Sequence, residues 1–275
     1  MKNLLTIDVE DYYQVSGLSD LAPYSKWDDF TSRIESSLEV ILSALSSIKA
    51  TFFILGYEAE KRPQLVKRIS ALGHNTASHG KSHRLIYNMS PQEFKAELSD
   101  SIKRLEDLTG KAVLGYRAPS FSIIAETMWA FEVMAELGLK YDSSIVPVTR
   151  RRGGIPGAEE KPFYIDTPSG KILEFPLPVT VFLGKKIPVA GGGFFRFYPY
   201  YFTQKAISKT NNQGLPVTVY LHPWEFDPLQ PRLRSFFNPN GFKHYYNLNR
   251  TLNKFRRLLK DFQFISMEEY IAVNR

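Results

Sequence analysis

The sequence predicts an α/β fold in which strands and helices alternate around a mainly parallel sheet. Short apolar runs of strand length recur along the chain, beginning with residues 4–9 and 50–55. Between them, apolar residues follow helical spacing, as at Ile34, Leu38 and Ile41. Because strands that alternate with helices pair in parallel and close readily into barrels, we expect a barrel-like sheet.

Turn and cap signals place the other elements in order. Pro63 and Gly73 bound the second helix, since proline favours the first helical turn and glycine the position after the last. Ser90 and Glu93 form a capping box before a helix that Gly110 ends. The remaining predicted elements are strands at 74–78, 113–116, from 141, 217–221 and 262–265, and helices at 126–137, 247–260 and after Ser266.

Residues from about 147 to 200 interrupt this alternation. They contain several prolines and the run Gly191, Gly192, Gly193, which predict loops and short strands. A chain of 275 residues with 43% hydrophobic content can bury one large core. We therefore expect one domain spanning 1–275, with a loop-rich insertion at about 147–200.

The absence of cysteine narrows the possible chemistry. It excludes disulfides, thiolate nucleophiles and cysteine-type zinc sites, so a metal would need histidine and carboxylate ligands. The apolar run that precedes Asp8 is too short for a signal-peptide core or a membrane span. We therefore expect a cytoplasmic protein, with no indication of membrane association.

The net charge of +7 has two interpretations. Lysine and arginine are spread along the predicted helices, which favours a solvated basic face. The densest cluster, Arg150 to Arg152, leaves an acidic glycan, a nucleic acid or a membrane surface as the alternative. No nucleic-acid-binding module accompanies the charge, so we expect no nucleic-acid partner.

Polar residues follow the predicted strands at the carboxyl ends, where barrels of this kind have their active sites. Asp8, Glu10 and Asp11 crowd the end of the first strand, and like charges at that spacing require a cation or hydrogen bonds. For any one of them, a helix cap is the structural alternative. His79 and His83, four residues apart behind the third strand, can direct both imidazoles at one metal ion.

Two further residues follow later strands. Arg117 precedes Pro119 and can form a bidentate pair with a carboxylate, or it can lie in a surface turn. His222 ends the strand at 217–221; a lone histidine is commonly structural, but it also titrates near neutrality, as a general acid must.

Taken in order, these segments (TIDVED, SHGKSH, YRAPS and YLH) resemble the motifs of the polysaccharide deacetylase family, also called NodB homology or carbohydrate esterase family 4. The resemblance covers residues 3–148 and, more loosely, 215–273. It implies a distorted, incomplete (β/α)7-type barrel. The stretches DVEDY, GGGFFRFYPY and HPWEFDP are similar to the branch of the family associated with exopolysaccharide gene clusters.

The resemblance implies a metal-dependent hydrolase that removes N-acetyl groups from the amino sugars of a glycan containing N-acetylhexosamine. His79, His83 and an acidic residue of the first motif would hold one divalent transition metal: zinc, with cobalt, nickel and manganese as alternatives. Asp8 would be the general base, Arg117 would steady it, and His222 would be the general acid.

The sequence departs from the family's usual TFDDG motif, in which two aspartates are adjacent. Here Val9 separates Asp8 from Glu10, and Asp11 follows. Strand alternation puts Asp8 and Glu10 on one face, which favours Glu10 as the metal ligand. Asp11 has the shorter side chain common in the family, so both remain candidate ligands.

Substrate contacts are expected from Pro119, Ser120, Phe121 and Trp224, with the backbone N–H near Ser120 completing an oxyanion hole. Aromatic faces suit sugar rings, although such residues also simply pack in a core. Fold alone does not decide function. A hydrolase of a non-glycan C–N bond, such as a cyclic amide, and a catalytically inactive glycan-binding module remain the alternatives.

Overall fold

The computed structural model describes residues 1–274, and most of its strands belong to one mainly parallel sheet. The strands are β1 (Lys2–Val9), β2 (Thr51–Ile54), β3 (Asn75–Ser78), β4 (Gly115–Tyr116), β5 (Tyr141–Asp142), β6 (Phe163–Thr167), β7 (Gly170–Glu174), β8 (Val179–Phe182), β9 (Lys185–Pro188), β10 (Thr218–Leu221) and β11 (Gln263–Ile265). The helices are α1 (Ile34–Leu45), α2 (Gly56–Lys61), α3 (Pro63–Ala71), α4 (Pro91–Thr109), α5 (Trp129–Glu136), α6 (Gly192–Phe197), α7 (Tyr200–Asn212), α8 (Pro239–Tyr245), α9 (Leu248–Asp261) and α10 (Met267–Val273).

The main sheet follows the order β10, β1, β2, β3, β4, β5, β7, β6. Its neighbours pair in parallel except β6 and β7, which form an antiparallel edge. Strand β11 pairs with the first residues of β1. Within residues 1–274, β10 and β6 end this path and do not pair with each other, as in an incomplete barrel. The predicted α/β fold class is confirmed.

The central strand β1 is buried from its second residue to its last. Leu5, Ile7 and Val9 belong to the same core cluster as Ile34 and Leu38 of α1. The i, i+4 spacing of these helical residues places them on one face. Full burial of each such side chain stabilises the fold by roughly 1.5–3 kcal/mol, so the sheet that carries the polar strand ends is rigidly supported.

The predicted caps are present. The Ser90 hydroxyl accepts a hydrogen bond from the N–H of Glu93 at 3.3 Å, and the Glu93 carboxylate accepts one from the N–H of Ser90 at 2.8 Å. Gly110 follows α4 in the left-handed conformation, with φ of 66°. Local chemistry therefore fixes both ends of this helix.

The range predicted as an insertion, 147–200, is not an insertion throughout. Residues 170–174 form β7, which pairs in parallel with β5 and continues the main sheet. Strands β8 and β9 pair only with each other, as a separate hairpin. Short strands were predicted in this range, but the pairing of β7 with β5 was not, because periodicity does not identify the partner of a short strand.

In residues 1–274, no helix has an apolar stretch long enough to cross a bilayer.

Candidate active site

The polar strand ends converge on one cleft of about 530 Å³. Asp8 comes from the end of β1, His83 from the loop after β3, and His222 from the end of β10. Parallel strands present their carboxyl ends at the same edge of the sheet, which explains why residues far apart in sequence meet here.

Glu10 lies against both histidines of the SHGKSH segment. Its Oε1 atom is 3.0 Å from Nε2 of His79 and 3.1 Å from Nε2 of His83. Val9 packs into the core, so Asp8 and Glu10 face the cleft together, as strand alternation predicts. The N–H of Glu10 donates to the carbonyl of Asp8 at 2.9 Å, which turns the chain just after the strand.

Neighbouring groups orient the two imidazoles. Nδ1 of His79 lies 2.7 Å from the carbonyl oxygen of Arg117, which can only accept, so Nδ1 carries a proton and Nε2 is directed at Glu10. His83 has φ of 55°, in the left-handed region, and Gly80 has φ of 73°. The left-handed conformation of His83 is unfavourable for a residue other than glycine. Strained backbone of this kind is common at functional sites.

The electrostatics of Glu10 keep it ionised. Burial by itself raises the pKa of Glu10, but the nearby His83 and His222 and two histidine hydrogen bonds more than offset burial. The pKa of Glu10 therefore lies well below its usual value. An anionic carboxylate and two oriented imidazoles form a preorganised set of donors.

This set fits a divalent transition metal. One ligand atom each from Glu10, His79 and His83 lies within 4.8 Å of the other two, and all three residues are buried. Two imidazole nitrogens and one carboxylate oxygen suit zinc or a chemically similar ion and leave a coordination position for solvent or substrate.

Arg117 holds Asp8 from beneath the cleft. Its Nη1 donates to Oδ1 of Asp8 at 2.7 Å and to the Thr6 hydroxyl at 2.8 Å. Its other donors contact the carbonyl and hydroxyl of Ser143 at 3.0 and 2.8 Å, and its guanidinium lies 4.2 Å from the centre of the Phe53 ring. Because Arg117 is fully buried and held on every side, it fixes the position of the Asp8 carboxylate.

His222 faces Asp8 from the end of β10. Its Nε2 is 3.8 Å from Oδ2 of Asp8, while its Nδ1 is 3.1 Å from Oε2 of Glu225. Burial lowers the pKa of His222, but the carboxylates of Glu10 and Glu225 outweigh burial and raise it to about 9. His222 is therefore protonated at neutral pH, with a proton on the nitrogen that faces Asp8.

A buried ion pair supports His222 from behind. Oε1 of Glu225 accepts a hydrogen bond from Nε of Arg196 at 2.7 Å, and both side chains are almost fully buried. Burial raises the pKa of Glu225, but Arg196 and His222 lower it by a larger amount. The pKa of Glu225 therefore lies below its usual value, and the carboxylate remains ionised. The sequence prediction missed both residues. The spacing of His222 and Glu225, three apart around a proline, was the available local signal.

Asp11 does not join the metal-binding group, and its candidacy as a ligand is not supported. Its Oδ2 accepts hydrogen bonds from Ser32 Oγ at 2.7 Å and from the N–H groups of Arg33 and Ile34 at 2.8 and 3.2 Å. Its Oδ1 accepts from the N–H of Tyr12 at 2.8 Å. Asp11 therefore caps α1, since the first N–H groups of a helix need acceptors from outside it.

Three of the four expected substrate-contact residues line the cleft, and the fourth does not. Ser120 and Phe121 line the cleft and have φ of 55° and 58°, a strained turn after β4. Trp224 also lines it and stacks on the His222 ring, with centroids 5.4 Å apart. Pro119 is buried at the start of the same turn and does not line the cleft.

Comparison with known families divides the chain in two. The family model described as polysaccharide deacetylase matches residues 22–141, and one described as a domain of unknown function (DUF3473) matches residues 143–272. Residues 22–141 are therefore similar to the polysaccharide deacetylase family. The predicted resemblance to this family is thus confirmed. Asp8 precedes this matched range, and His222 lies in the second match, so the candidate site draws on both parts of the chain.

Two curated relatives are similar to part of this chain. A peptidoglycan deacetylase of Helicobacter pylori is 35% identical over 101 residues, which cover 36% of this chain and 33% of that protein. A peptidoglycan-N-acetylglucosamine deacetylase of Bacillus cereus is 34% identical over 137 residues, 45% of this chain and 46% of that protein. The chain thus spans a third to a half of the length of these relatives.

A solved structure extends the likeness over the whole fold. A Mycobacterium smegmatis protein described as a polysaccharide deacetylase has a TM-score of 0.63 and 18% identity, covering 97% of this chain and 87% of that one. At that identity the likeness concerns the fold alone, and it agrees with the α/β architecture described above.

Proposed function

We propose that this protein is a metal-dependent deacetylase that hydrolyses N-acetyl groups on the amino sugars of a glycan. The observation that carries the proposal is the meeting, at one cleft, of three side chains placed to hold a metal (Glu10, His79 and His83), the oriented carboxylate of Asp8 and the imidazole of His222. Metal-assisted hydrolysis of an amide uses a metal, a base and an acid in this way.

The roles follow from the surroundings of each side chain. Glu10, His79 and His83 would hold the metal, which supplies Lewis-acid polarisation of the acetyl carbonyl and the attacking water. Asp8, kept in place by Arg117, takes the proton of that water as it attacks the acetyl carbon. Proton removal and attack then form the new C–O bond.

The second proton transfer completes the reaction. As the C–N bond breaks, Nε2 of His222 gives its proton to the departing nitrogen, leaving acetate and a free amine. Arg117 is unsuited to this step because a guanidinium does not release its proton near neutrality. Glu225 and Arg196 keep the His222 ring in position and keep it charged.

The choice of substrate class rests on the relatives. The two curated relatives are named for the deacetylation of peptidoglycan, one of them for its N-acetylglucosamine. The resemblance to the exopolysaccharide-associated branch makes an extracellular polysaccharide or its precursor our preferred glycan. The aromatic wall formed by Phe121, Phe194, Phe197 and Trp224 offers apolar faces for sugar rings.

We also propose that residues 1–275 act as one catalytic domain, although two family models divide them. In support, β10 and β11 from the second matched range pair with β1, which precedes the first matched range. His222 and Asp8, 3.8 Å apart, come from opposite sides of the division. Neither part alone contains all the proposed catalytic residues.

Acetate release from N-acetylglucosamine hexamers tests the function directly. We expect release that stops when a chelator removes the metal and resumes on addition of zinc or cobalt. Binding of the hexamer without acetate release, with metal present, would instead indicate a glycan-binding module. Hydrolysis of a cyclic amide but not of the sugar amide would indicate the other alternative.

A further inference from the structure

Three consecutive arginines stand at the mouth of the proposed active-site cleft. Arg150, Arg151 and Arg152 line the same cleft as Asp8 and His222. The proposed deacetylation of a neutral glycan gives these cations no role. We call these three residues the arginine turn.

The position of the arginine turn is fixed by its backbone. The N–H of Arg150 donates to the carbonyl of Gly153 at 3.1 Å, which closes the turn. A Cβ atom on Gly153 would lie 1.9 Å from the carbonyl oxygen of Phe121, so only glycine allows the turn to pack this closely against the cleft wall. The backbone that carries the arginines therefore packs directly against Phe121, one of the expected substrate-contact residues.

Among the described residues, Nη2 of Arg152 donates to the carbonyl of Ser16 at 3.1 Å, but no ion pair compensates the charges of the arginine turn. In residues 1–274, no carboxylate lies within 4 Å of a guanidinium nitrogen of the turn, whereas Arg33, Arg62 and many others form ion pairs. Lys243, which also lines the cleft, likewise lacks a carboxylate partner in the described chain. Burial and repulsion from its two neighbours lower the pKa of Arg152.

One donor of the turn is buried without an acceptor. Nη1 of Arg150 is shielded from solvent and has no hydrogen-bond partner among the described residues, while its guanidinium lies 5.4 Å from the centre of the Phe121 ring. A buried, unsatisfied donor is costly, and a charged one more so. An oxyanion entering the cleft would supply the missing acceptor, since guanidinium groups bind carboxylates and phosphates in a bidentate manner.

We propose that the substrate carries an oxyanion, either a sugar carboxylate or a phosphate, and that the arginine turn binds it while the N-acetyl group lies between Asp8 and His222. This inference rests on the proposed function and narrows it from glycans in general to anionic ones. The same turn would discriminate against neutral chitin-like chains, because they leave the cations unpaired and desolvated.

Binding to the inactive Asp8→Asn protein tests the subsite without turnover. One arm compares a hexasaccharide of alternating N-acetylglucosamine and glucuronic acid with the neutral N-acetylglucosamine hexamer. A second arm compares UDP-N-acetylglucosamine with the methyl glycoside of N-acetylglucosamine. In at least one arm we expect the anionic molecule to bind about 10-fold or more tightly than its neutral match, the factor for one charge-assisted hydrogen bond. The arm that shows this identifies carboxylate or phosphate.

Matched variants test whether the arginine turn causes the preference for the anionic molecule. Arg150→Gln with Arg151→Gln should abolish the anionic preference, whereas Arg250→Gln with Arg256→Gln, which removes the same charge from exposed positions of α9, should retain it. If the first variant does not fold, Arg151→Gln alone, at an exposed side chain, should reduce the preference several-fold. No preference in either arm, or equal loss in both double variants, would overturn the proposal.

The same proteins separate failure of the subsite from failure of the function. If the parent protein with Asp8 releases acetate equally well from neutral and anionic oligosaccharides, the subsite is refuted and deacetylation stands. If it releases none while the Asp8→Asn protein shows the arginine-dependent preference, the subsite stands and the proposed reaction is wrong.

Discussion

Two pairs of buried carboxyl groups lie at strand ends of the same sheet and are stabilised in opposite ways. Asp8 and Glu10 at the end of β1 lie against Arg117 and several histidines, and the pKa of Glu10 lies well below its usual value. Asp142 and Glu174 are partners across β5 and β7. Burial raises the pKa of Asp142 to about 6 and that of Glu174 well above its usual value.

The difference distinguishes carboxylates placed for a functional role from carboxylates that only contribute to the structure. A base or a metal ligand must be anionic, so the β1 pair is surrounded by Arg117 and histidines. The other pair has raised pKa values and accepts local hydrogen bonds: Glu174 Oε1 accepts from the N–H groups of Ser144 and Ile145 at 3.2 and 2.9 Å. Burial alone therefore does not mark a functional carboxylate; the partners that compensate its charge do.

The largest expected effect is the loss of activity on replacing Asp8, at the end of β1. Asp8→Asn removes the proposed base but keeps the shape of the side chain, so kcat should fall by about 10³ to 10⁴, the upper range for general-base assistance, with metal content unchanged. Acetate release and elemental analysis measure the two quantities. Asp166→Asn, which removes an exposed carboxylate on β6, is the control and should keep full activity. Loss of metal from Asp8→Asn would give Asp8 a ligand's role.

A smaller effect is expected for His222→Ala, about 10² in kcat/KM, because it removes the proposed acid but not the nucleophile. The carboxylates of Glu10 and Glu225 raise the pKa of His222, so the rate of the parent should fall at alkaline pH, where His222 loses its proton, and the variant should lack this alkaline limb. An activated aryl ester needs no protonation of its leaving group, so the variant should hydrolyse it nearly as fast as the parent. Equal slowing of ester and amide would assign His222 to structure or binding.

The protonated pair makes a prediction about stability. Because the folded-state pKa values of Asp142 and Glu174 lie above their unfolded values, the folded protein binds more protons, and the stabilisation is complete below about pH 4. The free energy of unfolding should lose on the order of 1–3 kcal/mol as pH rises through about 6. Chemical denaturation at several pH values should show a flatter profile for Asp142→Asn, whereas Asp166→Asn should match the parent.

The smallest expected effect is that of Glu225→Gln. The amide still accepts a hydrogen bond from His222 but removes a charge that raises the pKa of that residue, so the alkaline limb should move to lower pH. We expect the rate at neutral pH to fall about 10-fold or less, the order of one lost charge-assisted interaction. A uniform loss at every pH, with the limb in place, would mean that Glu225 acts only in packing with Arg196.

Elements with local signals were predictable from the sequence. Ser90 and Glu93 determine the start of α4 whatever packs around them, and Val9 between two carboxylates already indicated that Asp8 and Glu10 share a face. The place of short β7 in the main sheet was not predicted, because a strand of five residues among turns is defined by pairing with β5 rather than by its own pattern.

The missing parts of the site depend on long-range contacts. Asp11 and Glu10 are chemically similar in sequence, and only the approach of the α1 N-terminus, over twenty residues later, makes Asp11 a cap. Arg196 meets Glu225 across 29 residues, with no local pattern to link them. Such partners follow from the folded path of the chain, which the sequence pattern does not specify.

The central claim, that Glu10 with His79 and His83 holds a metal while Asp11 caps a helix, is tested most directly by metal stoichiometry. Elemental analysis of the purified parent, Glu10→Gln and Asp11→Asn proteins after dialysis against zinc should find about one ion per chain in the parent. We expect Glu10→Gln to lose it, and Asp11→Asn to keep it with a lowered unfolding temperature. Metal retained by Glu10→Gln and lost from a folded Asp11→Asn protein would contradict the account.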